Sequence, residues 1–306
     1  MIASAPATRN GVGPSRLTLP KGAWILVIDY LAERFPSLTR AQIAARMHDG
    51  EVRFVNGHAL TPATEYAANK TLTYYRHVAD EPVVPFEIAV VFEDAHLVVA
   101  DKPHFLPVSP VGRYVQETLL VRLKRKLGLD TLAPMHRIDR ETAGLVVFTK
   151  QPDTRGAYQT LFQDHAVVKR YQAIAPVNPT LSFPLHYKSC IVPAEHFMRV
   201  KEMAGEANAQ TRITLTEQRG RLGRFTLEPV TGKKHQLRVQ MAGLGMGIVY
   251  DRIYPDYLDA PDERPDYTRP LQLLAEAISF TDPITGRARA FRSGLQLLPL
   301  GSLNEH

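Results

Sequence analysis

The sequence predicts an α+β chain, with a large strand-dominated domain behind a small helical module. Three observations carry this. Apolar, β-branched runs such as Leu145-Val146-Val147-Phe148 recur along residues 88–306 and read as strands. Helical spacings interrupt them without the strict alternation that builds a parallel α/β sheet. The length, 306 residues with 44% hydrophobic content, suits one large domain plus a small one.

Residues 1–17 are small, polar and Gly/Pro-bearing, and read as a disordered lead-in. Residues 18–78 read as the small module. Ile25, Ile28, Leu31 and Phe35 recur at helical spacing, and Pro36 stops the helix. Ser37 or Thr39 caps a second helix to about Met47, with Ile43 and Met47 on its inner face. Glu51–Val55 then runs into Asn56-Gly57, a strong hairpin signal. Residues 79–87, with Asp80, Glu81, Pro82 and Pro85, read as a linker.

The large domain, 88–306, opens with a strand at Ile88–Phe92, a turn at Glu93-Asp94-Ala95, and a strand from Leu97 into Lys102-Pro103. Val115–Leu127 reads as a helix whose Arg122, Lys124, Arg125 and Lys126 form a solvated basic face. A short helix is expected at Gly156–Phe162, and strands at Val167–Ile174, Thr211–Glu217 and Arg224–Val230. Leu237, Met241 and Leu244 make one apolar helical stripe that Gly245 ends. Residues 251–267 are acidic and Pro-rich, and read as a surface loop. Leu273–Ala275 and Ile278–Phe280 form the closing strand, before a turn at Asp282–Gly286.

Lys plus Arg is 37 against 31 for Asp plus Glu, a net charge of +6, which suits a polyanionic partner. Cys190 is the one cysteine, so no internal disulfide and no zinc ribbon forms, and a reducing cytoplasm fits. Residues 1–16 lack the apolar core of a signal peptide. No run reaches the ~18 apolar residues of a membrane span. No Gly-rich phosphate loop is present, so no nucleotide cofactor is expected.

The most concentrated polar stretch is Met135-His136-Arg137-Ile138-Asp139-Arg140-Glu141-Thr142-Ala143-Gly144. It runs directly into the strand at Leu145, a reactive loop pinned to a rigid scaffold. Alone, such a loop is most often a solvated one whose ion pairs contribute roughly 0–1 kcal/mol. A second constellation lies further on: Thr231-Gly232-Lys233-Lys234-His235-Gln236-Leu237-Arg238. Together they resemble the signature of the RluA-type pseudouridine synthases, His-Arg-Leu-Asp-x-x-Thr-Ser-Gly followed by Gly-Arg-x-His-Gln-Ile/Leu-Arg. Ile138 stands for Leu and Ala143 for Ser. Lys102-Pro103 and Lys169-x-Tyr171-x-Ala173 resemble two further family motifs, and the likeness covers residues 88 to about 293.

The resemblance implies the pseudouridine synthase fold, a mixed, mainly antiparallel sheet with a central cleft. It implies an enzyme that isomerises uridine in rRNA or tRNA. Asp139 matches the catalytic aspartate, acting as nucleophile or as base. Arg238 matches its charge partner. Tyr171 and Leu237 would flank the target base, and Arg137 would fill the space it leaves. Lys233 and Lys234 would sit along the phosphates, with Arg140 in the same binding set. Isomerisation oxidises nothing and loses no group, so no cofactor is implied. The helices, strand and hairpin of residues 18–78 resemble an S-four-type RNA-binding module, with Arg40 and Arg46 on its RNA face. Ala68-Asn69-Lys70 departs from that module's usual Gly-Asp, so a degenerate docking domain is the alternative.

The family's Leu-Gly-His-Pro-Ile-x-Gly-Asp is here Leu244-Gly245-Met246-Gly247-Ile248-Val249-Tyr250-Asp251, which places a bulky Tyr250 beside the site. His136 and His235 read as hydrogen-bonding structural residues, and no metal is expected. Two other readings stand beside the enzyme: a non-catalytic RNA-binding or assembly protein, and a metal-dependent phosphodiesterase using His136 and Asp139. A monomer is expected.

Overall fold

The computed structural model describes residues 8–76, 78, 81–258 and 266–303. Residues 1–7 of the expected lead-in, Asp80 of the expected linker, and Asp259, Asp262 and Glu263 of the acidic loop lie outside the described residues. The chain divides into two units. The first is Met1–Pro82 with Gly112–Gln116; the second is Val83–Val111 with Glu117–His306.

The first unit contains β1 (Ser15–Thr18), α1 (Val27–Arg34), α2 (Arg40–His48), β2 (Val52–Phe54) and β3 (Thr71–Tyr74). Its antiparallel sheet runs β1-β3-β2. The lead-in therefore does not stay disordered through residue 17: Leu17 pairs with Leu72 at the sheet edge. Ile25 is 79% exposed and precedes α1. The inward stripe is Val27, Ile28 and Leu31, packed on Ile43, Met47 and Leu72. Thr39 begins α2 with a reciprocal cap: its hydroxyl accepts from Gln42 N at 3.2 Å, and Gln42 Oε1 accepts from Thr39 N at 2.8 Å. Asn56-Gly57 forms the expected turn, with Gly57 N donating to Phe54 O at 2.8 Å. Arg40 pairs with Asp29, and Arg46 with Glu51 and the Tyr75 carbonyl. Both guanidiniums thus have partners inside the unit.

The second unit runs β4 (Ala89–Glu93), β5 (Leu97–Lys102), α3 (Leu119–Leu127), β6 (Ala133–Pro134), β7 (Ala143–Thr149), α4 (Arg155–Gln163) and β8 (Val168–Pro176). It continues with β9 (Leu185–Pro193), β10 (Val200–Met203), β11 (Ala209–Arg219), β12 (Leu222–Pro229), α5 (Gln236–Gly243), β13 (Leu273–Thr281) and β14 (Ala288–Arg292). The described strands form one sheet in the order β10-β9-β11-β12-β8-β13-β7-β5-β4, with β14 on β13 and β6 on β7. Every pairing is antiparallel except β13 with β7.

Two details correct the reading of the basic helix. It starts at Leu119 rather than Val115, because Thr118 Oγ1 caps Val121 N at 3.3 Å. Its charges are also not all solvated. Arg122 donates to the carbonyls of Phe86 and Val84, and Lys126 to that of Ile88. They clamp the strap that leads into β4.

β7 is buried along its whole length, as a strand covered on both faces must be. Its parallel register sets Gly144 opposite Ala275. Gly144 has φ +111, and a Cβ there would lie 2.3 Å from the Ala275 carbonyl oxygen. Backbone handedness and overpacking therefore both forbid a side chain. Gly144→Ala is expected to lower stability by about 3 kcal/mol or more, read as a shift of the urea midpoint. A loss under about 1 kcal/mol would contradict the close approach.

Candidate active site

A cleft of about 570 Å³ opens in the second unit. One wall is the loop that feeds β7, and the other is the segment entering α5. Ile138 and Thr142 are buried and peg the loop to the sheet, and Thr142 N closes a turn onto Asp139 O at 3.2 Å. From behind, Lys102 donates to the Pro103 and Arg140 carbonyls at 2.9 and 3.0 Å. Burial pushes its amine down to about 7, against the raising pull of Glu141 and Asp139. His136 Nε2 accepts from Val147 N at 3.2 Å, and its ring stacks on Phe162. Burial, helped by Lys169, pushes this imidazole down to about 3, so it is a neutral structural group.

The other wall is locked by side-chain amides. Gln236 Oε1 accepts from the Thr231 hydroxyl at 2.7 Å and from Lys233 N at 3.1 Å, while its Nε2 donates to Gln210 O at 3.1 Å. Gln240 bridges Thr211 and Ser189. α5 is thereby fixed on β9 and β11, with Leu237 and Met241 in the apolar cluster beneath.

Arg238 projects from this helix and is 2% exposed. Its Nε and Nη2 donate to the two oxygens of Asp251 at 2.8 and 2.7 Å, a bidentate fork. Its Nη1 donates to Asp139 Oδ2 at 3.1 Å. The Asp251 side chain is wholly buried and also accepts from the Ile253 and Tyr254 amides at 2.8 and 3.1 Å. Asp139 is 22% exposed, towards the cleft. Burial works to raise its carboxyl. The neighbouring His235 ring, which is charged only at acid pH, and the permanent guanidinium charges of Arg238 and Arg137 outweigh that, so the group sits below the usual carboxylate range. Burial likewise opposes the charge on Arg238, and its two aspartates push it further up than its ordinary value.

His235 lies with Nε2 3.8 Å from Asp139 Oδ1 and Nδ1 3.1 Å from the Tyr254 hydroxyl. That hydroxyl gives its hydrogen to Val200 O at 3.1 Å and accepts from Val200 N at 2.9 Å. The imidazole must therefore donate from Nδ1. Burial pushes His235 down to about 4, against the pull of Asp139. Tyr171 lines the same cleft, and burial and then Asp139 push its phenol up, so it stays neutral.

The cleft thus brings together one ionised carboxylate, a neutral phenol and the Leu237 side chain. Among the described residues, no group of three or more His, Cys, Asp or Glu could hold a metal ion. A family model described as RNA pseudouridylate synthase matches residues 96–243. Over that stretch, which holds Asp139, Tyr171 and Arg238, the chain is similar to this family, in its RluA type. It is 28% identical over 230 residues to an uncharacterized RNA pseudouridine synthase of Synechocystis, covering 74% of this chain and 79% of that one. It is 27% identical over 233 residues to a tRNA pseudouridine synthase C of Vibrio cholerae, covering 71% and 95%. Several other curated relatives are longer, and the chain spans 60%, 62% and 50% of three of them. Among solved structures, the human RNA pseudouridylate synthase domain containing 4 matches with a TM-score of 0.53 at 26% identity, covering 68% of this chain and 88% of that one.

Asp139, Tyr171, Arg238, Leu237, Arg137 and Lys233 all line the cleft. Two residues of the sequence-derived set do not. Arg140 donates from Nε to its neighbour Glu141 at 2.8 Å, and Lys234 Nζ donates to Phe197 O at 3.1 Å. Asp251 escaped the sequence reading because it opens an acidic stretch that looks like a surface loop. The available signal was its place as the aspartate that ends the Leu244–Asp251 motif. Tyr250, at the motif's glycine position, holds a left-handed φ of +63. It packs with Val249 and Leu298 on a cluster that includes Ala143 and Leu274, and is not a cleft-lining residue.

Two outcomes are expected of this site. Asp251→Asn leaves the buried guanidinium without its main counter-charge, so about 3–5 kcal/mol of stability should be lost. Urea unfolding reads this directly, and a loss under about 1 kcal/mol would remove Asp251 from that role. The second concerns pH. His136 and His235 are held neutral when folded, with pKa about 3 and about 4, against about 6.5 when unfolded. The unfolded chain binds the extra protons, so stability falls as pH drops below about 6.5, by about 1.4 kcal/mol per pH unit for each histidine, until the folded value is reached. Urea midpoints from pH 7.5 to 5 should show this slope, and His235→Asn should make it shallower. An unchanged slope in that variant would mean His235 is not buried neutral.

Proposed function

We propose that this enzyme converts uridine to pseudouridine in tRNA or rRNA, with Asp139 as the reacting carboxylate. The observation that carries the reading is the Arg238 Nη1 to Asp139 Oδ2 contact of 3.1 Å at a cleft also lined by Tyr171 and Leu237. The naming of a relative as a tRNA pseudouridine synthase supports tRNA as the first substrate to examine.

The target nucleotide leaves its stack, at a cost of a few kcal/mol, and its uracil lies between the Tyr171 ring and Leu237. Asp139, kept ionised by Arg238, attacks the sugar or removes a sugar proton, and the nitrogen–sugar bond breaks. The base turns, carbon 5 bonds to the sugar, and the carbon-5 proton leaves while a ring nitrogen gains one. Atoms and electrons balance within the nucleotide, so the reaction needs no cofactor or metal. Tyr171, a neutral phenol, supplies the stacking face. Arg137 occupies the vacated helix position, and Lys233 contacts phosphate without reading sequence. We further propose that the enzyme works as a monomer, since the cleft is built by one chain, and in the cytoplasm, where the free Cys190 fits.

Asp139→Asn should abolish pseudouridine formation while RNA binding stays within a few fold, because Asp251 still holds Arg238. The check is carbodiimide mapping of RNA from cells lacking the gene, incubated with each purified protein. Near-normal turnover by the variant would refute the assignment.

A further inference from the structure

The hairpin between β9 and β10 ends in an uncovered ring. Phe197 is 80% exposed. It stacks on His196, with centroids 5.2 Å apart and planes 28° apart, and His196 in turn lies 4.3 Å from Tyr257. The three rings form a ladder whose last rung is Phe197. A single exposed apolar side chain is ordinary on a protein surface. What distinguishes Phe197 is this ladder together with its attachment to the cleft.

That attachment has two parts. Lys234 lies in the chain between Lys233 and His235, both of which line the cleft, and its Nζ donates to Phe197 O at 3.1 Å. The Tyr254 hydroxyl joins His235 Nδ1 to Val200, where β10 begins. The base of the hairpin is also basic. Arg199 donates to Pro255 O, and its guanidinium lies 5.1 Å over the Tyr254 ring. Glu195 is offset by Lys201, and Asp256, next to Pro255, is an exposed acid.

We propose that Phe197 is a stacking platform for an unpaired nucleobase of the RNA, beside the uridine held in the cleft. This rests on the reading of the cleft as a uridine site. Bare aromatic faces interleaved with cations are how proteins hold splayed single-stranded bases. The bound base becomes the fourth rung of the ladder, and the cations beside it follow the phosphates. Phe197 thereby helps select RNAs in which the target uridine has an unpaired neighbour.

The test uses the full chain and short uridine-rich RNAs, each carrying one 2-aminopurine at a different distance from a central uridine. Stacking quenches that fluorophore. Quenching should occur at one or two positions with the natural protein and with Phe197→Trp. With Phe197→Ala it should be lost, with affinity about tenfold weaker and an unchanged thermal midpoint. On tRNA from cells lacking the gene, Phe197→Ala should raise KM about tenfold and leave kcat unaltered. If Phe197→Ala binds and quenches like the natural protein, the platform is overturned, including the case where the ring serves a protein partner. If Phe197→Trp fails as badly as Phe197→Ala, it is overturned as well. Phe197-dependent quenching without any pseudouridine formed would keep the platform and sink the activity; pseudouridine formed normally with Phe197-independent quenching would do the reverse.

Discussion

The buried guanidinium of Arg238 is the constraint on which the site depends. A cation taken out of water costs several kcal/mol unless its charge and its donors are matched. Asp251 meets most of that demand with two hydrogen bonds, and its Oδ1 also accepts from the Ile253 and Tyr254 amides. Arg238 then has Nη1 left for Asp139. Two aspartates on one guanidinium acquire different roles through exposure. Asp251 is sealed and serves as counter-charge, while Asp139 is partly exposed and lines the cleft.

The scaffold sets the positions of these groups. The one parallel pairing in the described sheet brings β13 against the start of β7, so closely that only glycine fits at residue 144. The loop carrying Asp139 ends at that join, and Lys102 holds it from behind through the Arg140 carbonyl. On the opposite wall, Gln236 and Gln240 fasten α5 to the sheet with neutral hydrogen bonds. Neutral partners fix a helix without adding a field that would shift the nearby carboxylate.

Tyr254 ties the site to its surroundings. Its hydroxyl contacts His235 and both backbone groups of Val200, and its ring lies under two guanidiniums. The β9–β10 hairpin and the α5 wall of the cleft are therefore one hydrogen-bonded body within the second unit. An aromatic ladder on that hairpin keeps a defined position relative to Asp139, as a binding subsite requires.

Much was legible in the residues themselves. The apolar runs at Leu97 and Leu145 became central strands because continuous hydrophobicity leaves no face for water. Thr39 and Asn56-Gly57 specified a cap and a turn by local chemistry. The spaced motifs named Asp139, Tyr171 and Arg238, although nothing in their separation says that they meet. β9 and β10 went unread because their alternation of inward and outward residues is too brief to stand out from loop sequence. The basic run of α3 and the acid at residue 251 were read as solvated, since a charge in a sequence does not reveal its partner. The sequence by itself determined residue chemistry and local geometry, which depend on near neighbours along the chain. Only the tertiary structure decided which charges are paired and which are left to react, because pairing depends on contacts between segments far apart in sequence.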